Sequence, residues 1–272
     1  MGRPDPRCRH PRAVAGMQQP VVTEQGRKVA AHWSRVAVTY EGVMRSLEAR
    51  GIIANQAKAE DLHAVDMIHM GGLAATDALA AMARIAPGKR VLDIGSGVGG
   101  PARRFAARFG ASVCGVELSE RLHETAVRLT ALVGLAEQVH LTHGSALALP
   151  FDDSTFDVAM IQHVAMQIAE KEQLFAEAAR VLKPGGRLAL HEIFAGAGVL
   201  HYPLPWATEP GMSALEPLAD CIARLTRLGF EVGEFVDQSE EGSRFHAAAI
   251  ATYDQALAAG EGALGLDRSA TE

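Results

Sequence analysis

Apolar residues recur along this chain in two rhythms. Between Val29 and Glu48 they fall at Trp33, Val36, Ala37, Tyr40, Val43, Met44 and Leu47. Steps of three and four gather them on one face of a helix. Farther on the rhythm changes to short apolar runs: Arg90 to Ile94, Ser112 to Leu118, Val139 to Thr142, Val158 to Gln162, Arg187 to Ile193 and Phe230 to Val236. Runs this short, bounded by glycine and proline, predict strands, and their continuous hydrophobicity predicts parallel strands buried on both faces. Amphipathic stretches separate them. Leu122, Ala126, Leu129 and Val133 share one helical face, as do Leu174, Phe175, Ala178 and Val181, and Leu218, Cys221, Ile222, Leu225 and Leu228. Pro101 opens one helix and Gly110 closes it, while Ser119 is placed to cap the next. Strand alternating with helix predicts an α/β fold with a doubly wound, mainly parallel sheet.

Composition sets the limits. The chain has 272 residues, 48% of them hydrophobic, with a formal net charge of -6. That suffices for one core (73–238) with a helical cap (25–72) and a C-terminal helical segment (239–272). Residues 1–24, rich in Arg and Pro, predict a disordered tail. The tail fits neither a secretory signal nor a myristoylation site, because Pro6 stands where Ser or Thr is required. The acidic balance argues against a nucleic-acid partner, and no apolar run approaches the roughly 18 residues of a membrane span. Cys8, Cys114 and Cys221 lie far apart without metal spacing, which predicts reduced cysteines in a cytoplasmic protein. Asp61, His63, Asp66 and His69 crowd together but match no zinc pattern, so no metal is expected.

The chemistry concentrates in Val91-Leu92-Asp93-Ile94-Gly95-Ser96-Gly97-Val98-Gly99-Gly100-Pro101. An apolar strand runs into a glycine turn and then a helix N-terminus, where free N–H groups are expected to face a ligand. Gly95, Gly97 and Gly100 satisfy the dinucleotide pattern, yet Asp93 would repel a pyrophosphate. It would attract an ammonium or sulfonium group, and S-adenosylmethionine carries both. Glu117, ending the next strand, suits two ribose hydroxyls. Asp93, Glu117, Ser145, His163 and Glu192 all fall at the carboxyl ends of predicted strands, where such sheets bind ligands.

Val91 to Gly97, Leu149-Pro150-Phe151 with Phe156-Asp157, and Arg180-Val181-Leu182-Lys183-Pro184-Gly185-Gly186 closely resemble the class I S-adenosylmethionine-dependent methyltransferases. The resemblance spans roughly Met70 to Gln238. His69-Met70-Gly71-Gly72 and Leu204-Pro205-Trp206 are similar to the small-molecule branch that includes sarcosine/dimethylglycine N-methyltransferases and quinone and tocopherol C-methyltransferases. It implies a Rossmann-like sheet in which Gly95, Ser96 and Gly97 hold the methionine part. Glu117 and Leu118 would then lie at the ribose, and Ser145 and Ala146 at the adenine. Ser145 stands where the family often has an acidic residue, so its bond to adenine should be weaker. Members of this fold usually end with a seventh, antiparallel strand. Arg244 to Tyr253 suits that role poorly, since Ala247 to Ala249 favour helix.

The expected function is therefore methyl transfer from S-adenosylmethionine to a small-molecule acceptor at N, O or activated C, by a monomer or homodimer. The alternative is a protein that binds the cofactor without catalysis. Gln162 and Tyr40 complete the expected cofactor contacts. His69, His201, Tyr202 and Trp206 are expected to face the acceptor, the last three from the loop 194–212. Among catalytic candidates His163 precedes His191, with Glu192 placed to orient a base or hold an amine.

Overall fold

The computed structural model describes residues 22–36, 38–245 and 247. Five strands form one sheet: β1 (Arg90–Ile94), β2 (Ser112–Glu117), β3 (Val139–His143), β4 (Phe156–Gln162) and β5 (Leu182–His191). All pair in parallel, in the order β3-β2-β1-β4-β5. The chain steps outward from β1 to β3, then returns past β1 to β4. Its direction reverses between β1 and β4, and the cleft above their tips is where a doubly wound sheet binds ligands.

Side-chain alternation along the strands feeds two cores. Leu92 and Ile94 of β1 pack with Leu174, Phe175 and Val181 of α7 (Lys171–Val181). Val91 faces the other way, toward Phe105 of α5 (Gly100–Phe109) and Leu79 of α4 (Gly72–Met82). The Lys183–Gly186 turn is absorbed into β5 as an irregularity: Leu182 pairs with Phe156, and regular pairing resumes only where Arg187 meets Val158.

The expected sixth strand does not form. Residues 230–238 have no regular structure, and Val232, Phe235 and Val236 are 44%, 59% and 52% exposed. As a strand this stretch would carry a glutamate on each face (Glu231 on one, Glu234 on the other), with Gly233 adding no side chain. Residues 239–245 are helical, and no strand follows β5 among the described residues, so β5 is a sheet edge. The rest of the doubtful seventh-strand stretch, and nearly all of the expected N-terminal tail, lies outside them.

The cap is two structures rather than one. The helix expected across Val29 to Glu48 breaks into α1 (Glu24–Val36) and α2 (Tyr40–Ala49), with Thr39 capping α2 by accepting the Gly42 N–H at 3.0 Å. α2 and α3 (Ala59–Asp66) are tied to the core. Val43, Leu47 and Leu62 pack with Leu129 of α6 (Glu120–Leu132). The Asp66 carboxylate accepts from the Arg103 guanidinium at 2.9 Å, both side chains being 1% exposed. Arg103 also donates to Val98 O and Thr130 Oγ1. Cys221 is a free, buried thiol.

Candidate functional site

The switch point opens into a cleft that continues along β5 to its amino end, about 1980 Å³ in all. Its floor is the glycine turn. Gly95, Gly97 and Gly99 take φ values of +74°, +52° and +79°, a region that favours glycine. A Cβ at Gly95 would also overlap the Val164 side chain, and one at Gly100 the Asp66 carbonyl. The amides of Gly95, Ser96 and Gly97 are not free to face a ligand in the way the sequence led us to expect. The Gly95 and Ser96 N–H groups donate to Val116 O at 2.8 and 3.0 Å, and the Gly97 N–H donates to Glu117 Oε2 at 2.9 Å. The turn folds back on the tip of β2, so it offers close approach instead of donors.

Two carboxylates lie beneath it. Glu117, 9% exposed, accepts from Gly97 N–H and, at 2.7 Å, from Ser119 N–H. The Leu118 N–H donates to it as well, and the carboxylate keeps lone-pair capacity for a ligand hydroxyl. Asp93 is 2% exposed, accepts from the Ala102 N–H in the first turn of α5, and leaves Oδ2 without a partner. Burial, reinforced by the nearby Glu117 charge, pushes its pKa up to about 7. A buried carboxylate with an idle oxygen under a side-chain-free turn fits a ligand that carries a positive charge beside vicinal hydroxyls. On that chemistry Asp93, Glu117 and the turn fit S-adenosylmethionine.

Leu118, Ser145, Ala146 and Gln162 also line the cleft. Ser145 Oγ accepts the Leu147 N–H at 3.2 Å, and Gln162 Nε2 donates to Thr76 Oγ1 at 3.5 Å. Tyr40 does not line it. Its ring packs in the α2–α3 cluster, with the Arg128 guanidinium 3.6 Å from the ring centroid. The break at Thr39 turns α2 away from the cleft, and Trp33 of α1 fills the place, donating from Nε1 to Gln167 Oε1 at 2.6 Å. Trp33, read in the sequence only as part of an apolar helix face, and Gln167 and Thr76 were not among the expected site residues. The signal for the first was Thr39, a helix-capping residue inside an otherwise continuous pattern.

The structure brings together histidines from three elements. His163 follows β4, His191 ends β5 and His69 lies between α3 and α4, with ring centroids 4.7 Å apart for His163 and His191 and 6.1 to 6.2 Å from His69. Strand alternation predicts that Gln162 and His163 point to opposite sides. Both line the cleft, because His163 takes a left-handed φ of +55° that breaks the alternation. His69 Nε2 lies 3.0 Å from Gly72 O and 2.8 Å from Thr76 Oγ1. A carbonyl only accepts, so Nε2 carries the proton and Nδ1 the lone pair. Burial first, and neighbouring imidazoles second, push the His163 pKa down to about 3 and the His69 pKa down to about 4; burial also lowers that of His191. All three rings are neutral at neutral pH. No metal-binding group occurs among the described residues.

Glu192, expected to orient a base or hold an amine, reaches the loop that follows β4. Its carboxylate accepts from the Val164, Ala165 and Met166 N–H groups at 2.8, 2.9 and 3.2 Å. It thus clamps the loop that carries His163 and does not stand free to act as a base. Of the expected acceptor contacts, His69 and Trp206 line the cleft. Tyr202 packs beside Trp206 in the wall, and His201 is exposed outside it.

Residues 92–190 match the family model described as a methyltransferase domain. A curated relative named sterol methyltransferase-like 1, from Botryococcus braunii, is 34% identical over 143 residues, 53% of this chain and 34% of its own length. The chain thus spans about a third of that relative. Methyltransferase GfsG from Streptomyces halstedii is 28% identical over 201 residues, 72% of each chain. Among solved structures, the [4+2]-cyclase SpnF superposes with a TM-score of 0.64 at 23% identity, covering 89% of this chain and 86% of its own, a likeness of fold. Sheet order and switch-point cleft agree with that match: residues 92–190 are similar to a methyltransferase domain, and the fold is that of the class I S-adenosylmethionine-dependent methyltransferases.

Proposed function

We propose that this protein moves the methyl group of S-adenosylmethionine onto a small molecule held at the histidine end of the cleft. The observation that carries the reading is the continuity of one cleft from Asp93 and Glu117 to His163, His191 and Gln162. The acceptor's lone pair attacks the methyl carbon in line, the carbon–sulfur bond breaks with its electrons passing to sulfur, and S-adenosylhomocysteine leaves. The protein's share is alignment and exclusion of water. Where the acceptor atom carries a proton, that proton becomes strongly acidic only as the new bond forms. A neutral imidazole such as His163, although a weak base at a pKa of about 3, suffices to take it then.

The test is release of S-adenosylhomocysteine in the presence of acceptors, with His163→Ala compared. Loss of the proton acceptor is expected to lower kcat by about 10²- to 10⁴-fold with little change in cofactor affinity. Binding of the cofactor with no turnover on any acceptor would favour the non-catalytic alternative. A net charge of -6 supports a free small molecule over nucleic acid. No helix among the described residues is long and apolar enough to cross a membrane. The proposal includes a cytoplasmic monomer or homodimer, the oligomeric part of which sedimentation measures.

A further inference from the structure

Among the described residues, the acceptor end of the cleft is polar but holds no cation. Of the cleft-lining residues, Arg84 and Arg187 are the positively charged ones, and both are exposed. Arg187 lies about 13 Å from His191 along β5, at ~3.3 Å per residue. Arg84 lies past the far end of α4, roughly 18 Å from Gly72 beside His69, at ~1.5 Å per residue. The buried Lys171 is spent on the Ala165, Ile168 and Ala214 carbonyls. An acceptor carboxylate or phosphate placed at the histidines would therefore lose its water without gaining a partner. It would also face the carboxylates of Glu192 and Asp93. Desolvating an unpaired anion is strongly unfavourable.

Two further observations narrow the acceptor. The cleft walls are largely apolar, built from side chains such as Met70, Ala78, Met166, Leu190, Phe194 and Trp206. Against them, Gln162 Oε1, His163 Nε2 and His191 Nδ1 are buried without a hydrogen-bond partner. Gln162 is 8% exposed and its carbonyl oxygen only accepts, so it calls for a donor on the ligand. An aliphatic amine would arrive as a cation that needs deprotonation first, and an amide N–H has no nucleophilic lone pair. A hydroxyl donates, stays uncharged and keeps a lone pair for the methyl carbon.

We infer that the acceptor is an uncharged molecule with an apolar body, methylated on a hydroxyl that sits between Gln162, His163 and His191. This rests on the methyltransferase reading above. The hydroxyl oxygen gains the methyl carbon as the carbon–sulfur bond breaks, its proton passes to an imidazole and then to water, and the products are a methyl ether and S-adenosylhomocysteine.

The test uses the full chain and methyl-labelled S-adenosylmethionine. One set of acceptors is uncharged: 4-phenylphenol, 2-naphthol and a long-chain primary alcohol. The other carries charge: 4′-hydroxybiphenyl-4-carboxylate, sarcosine and phosphoethanolamine. We expect label in the ether of at least one uncharged hydroxyl compound, with kcat/KM for 4-phenylphenol at least tenfold above its carboxylate counterpart. His191→Lys, which places a cation at the acceptor end, should narrow or reverse that ratio. Label in none of the uncharged compounds, a preference for the carboxylate or sarcosine, or no shift in the lysine variant overturns the inference. Calorimetry with S-adenosylhomocysteine separates the two failures. No binding defeats the methyltransferase reading itself, whereas binding without hydroxyl methylation defeats this inference alone.

Discussion

Asp93 shows what burial does to a single side chain. In the fold its proton leaves at about pH 7, against 3.8 for an ordinary aspartate. Between those values the native state holds more protons than the unfolded chain, so this group lowers stability as pH rises toward 7. A cation bound in the cleft favours the ionised carboxylate. Affinity for S-adenosylmethionine is therefore expected to climb as pH passes through 7, with proton release on the acid side. Burial raises the Glu117 pKa as well. Titration calorimetry between about pH 6 and about pH 8 should find the slope flattened in Asp93→Asn. Glu117→Ala, which removes a charged acceptor of two hydroxyls, should weaken binding at least tenfold, at roughly 1.5–3 kcal/mol per bond to a charged group. Equal affinity in that variant would take Glu117 out of the cofactor site.

At the scale of the element, the cap divides by the way it is held. α2 and α3 are anchored by Leu47 and Leu62, each 0% exposed, and by the buried Asp66–Arg103 pair. α1 buries no side chain as fully as Leu47 or Leu62; it packs through the partly buried Val29 and Trp33 and adds polar contacts, Lys28 to Glu209, Trp33 to Gln167, and Ser34 to Ser119. Hydrogen exchange with and without S-adenosylhomocysteine should add protection over 24–36 and little over 40–66. Protection gained equally across both would show that they move as one. Arg103→Met leaves Asp66 buried and unpaired, and urea unfolding should register a loss of about 3–5 kcal/mol. Much of this was legible in the sequence. The apolar runs located β1 to β5, and the glycine turn located the cleft. The local breaks were not. Thr39 interrupts a continuous apolar face, and the left-handed His163 puts two neighbours on one side of a strand. The turn amides satisfy Val116 and Glu117, which no spacing rule reveals because the partners come from another strand.

For the molecule as a whole, the histidine cluster makes stability depend on pH from the acid side. His163 and His69 titrate at about 3 and about 4 in the fold, against 6.5 when free. Their contribution is present above 6.5 and is lost as pH falls from there toward those folded values, because the unfolded chain takes up protons first. Thermal unfolding should show Tm falling with acidification below about pH 6.5, less steeply in His163→Asn. An unchanged slope in that variant would mean that the acid sensitivity arises elsewhere. Fold class was readable because alternating strands and helices admit few topologies. The missing sixth strand was harder to foresee, since a seven-residue run with glutamates on both faces differs little by eye from a buried strand.

The glycine turn bears on how such a protein changes over generations. Its floor depends on side chains being absent: a methyl group at Gly95 or Gly100 meets Val164 or the Asp66 backbone, and the Gly95, Ser96 and Gly97 amides are already committed. Almost any substitution there harms the cofactor half. The acceptor walls, built from ordinary apolar side chains, can be exchanged one at a time at modest cost. On the proposed function, drift is thus channelled into the half that would choose the acceptor, while the half that would hold the methyl donor stays fixed.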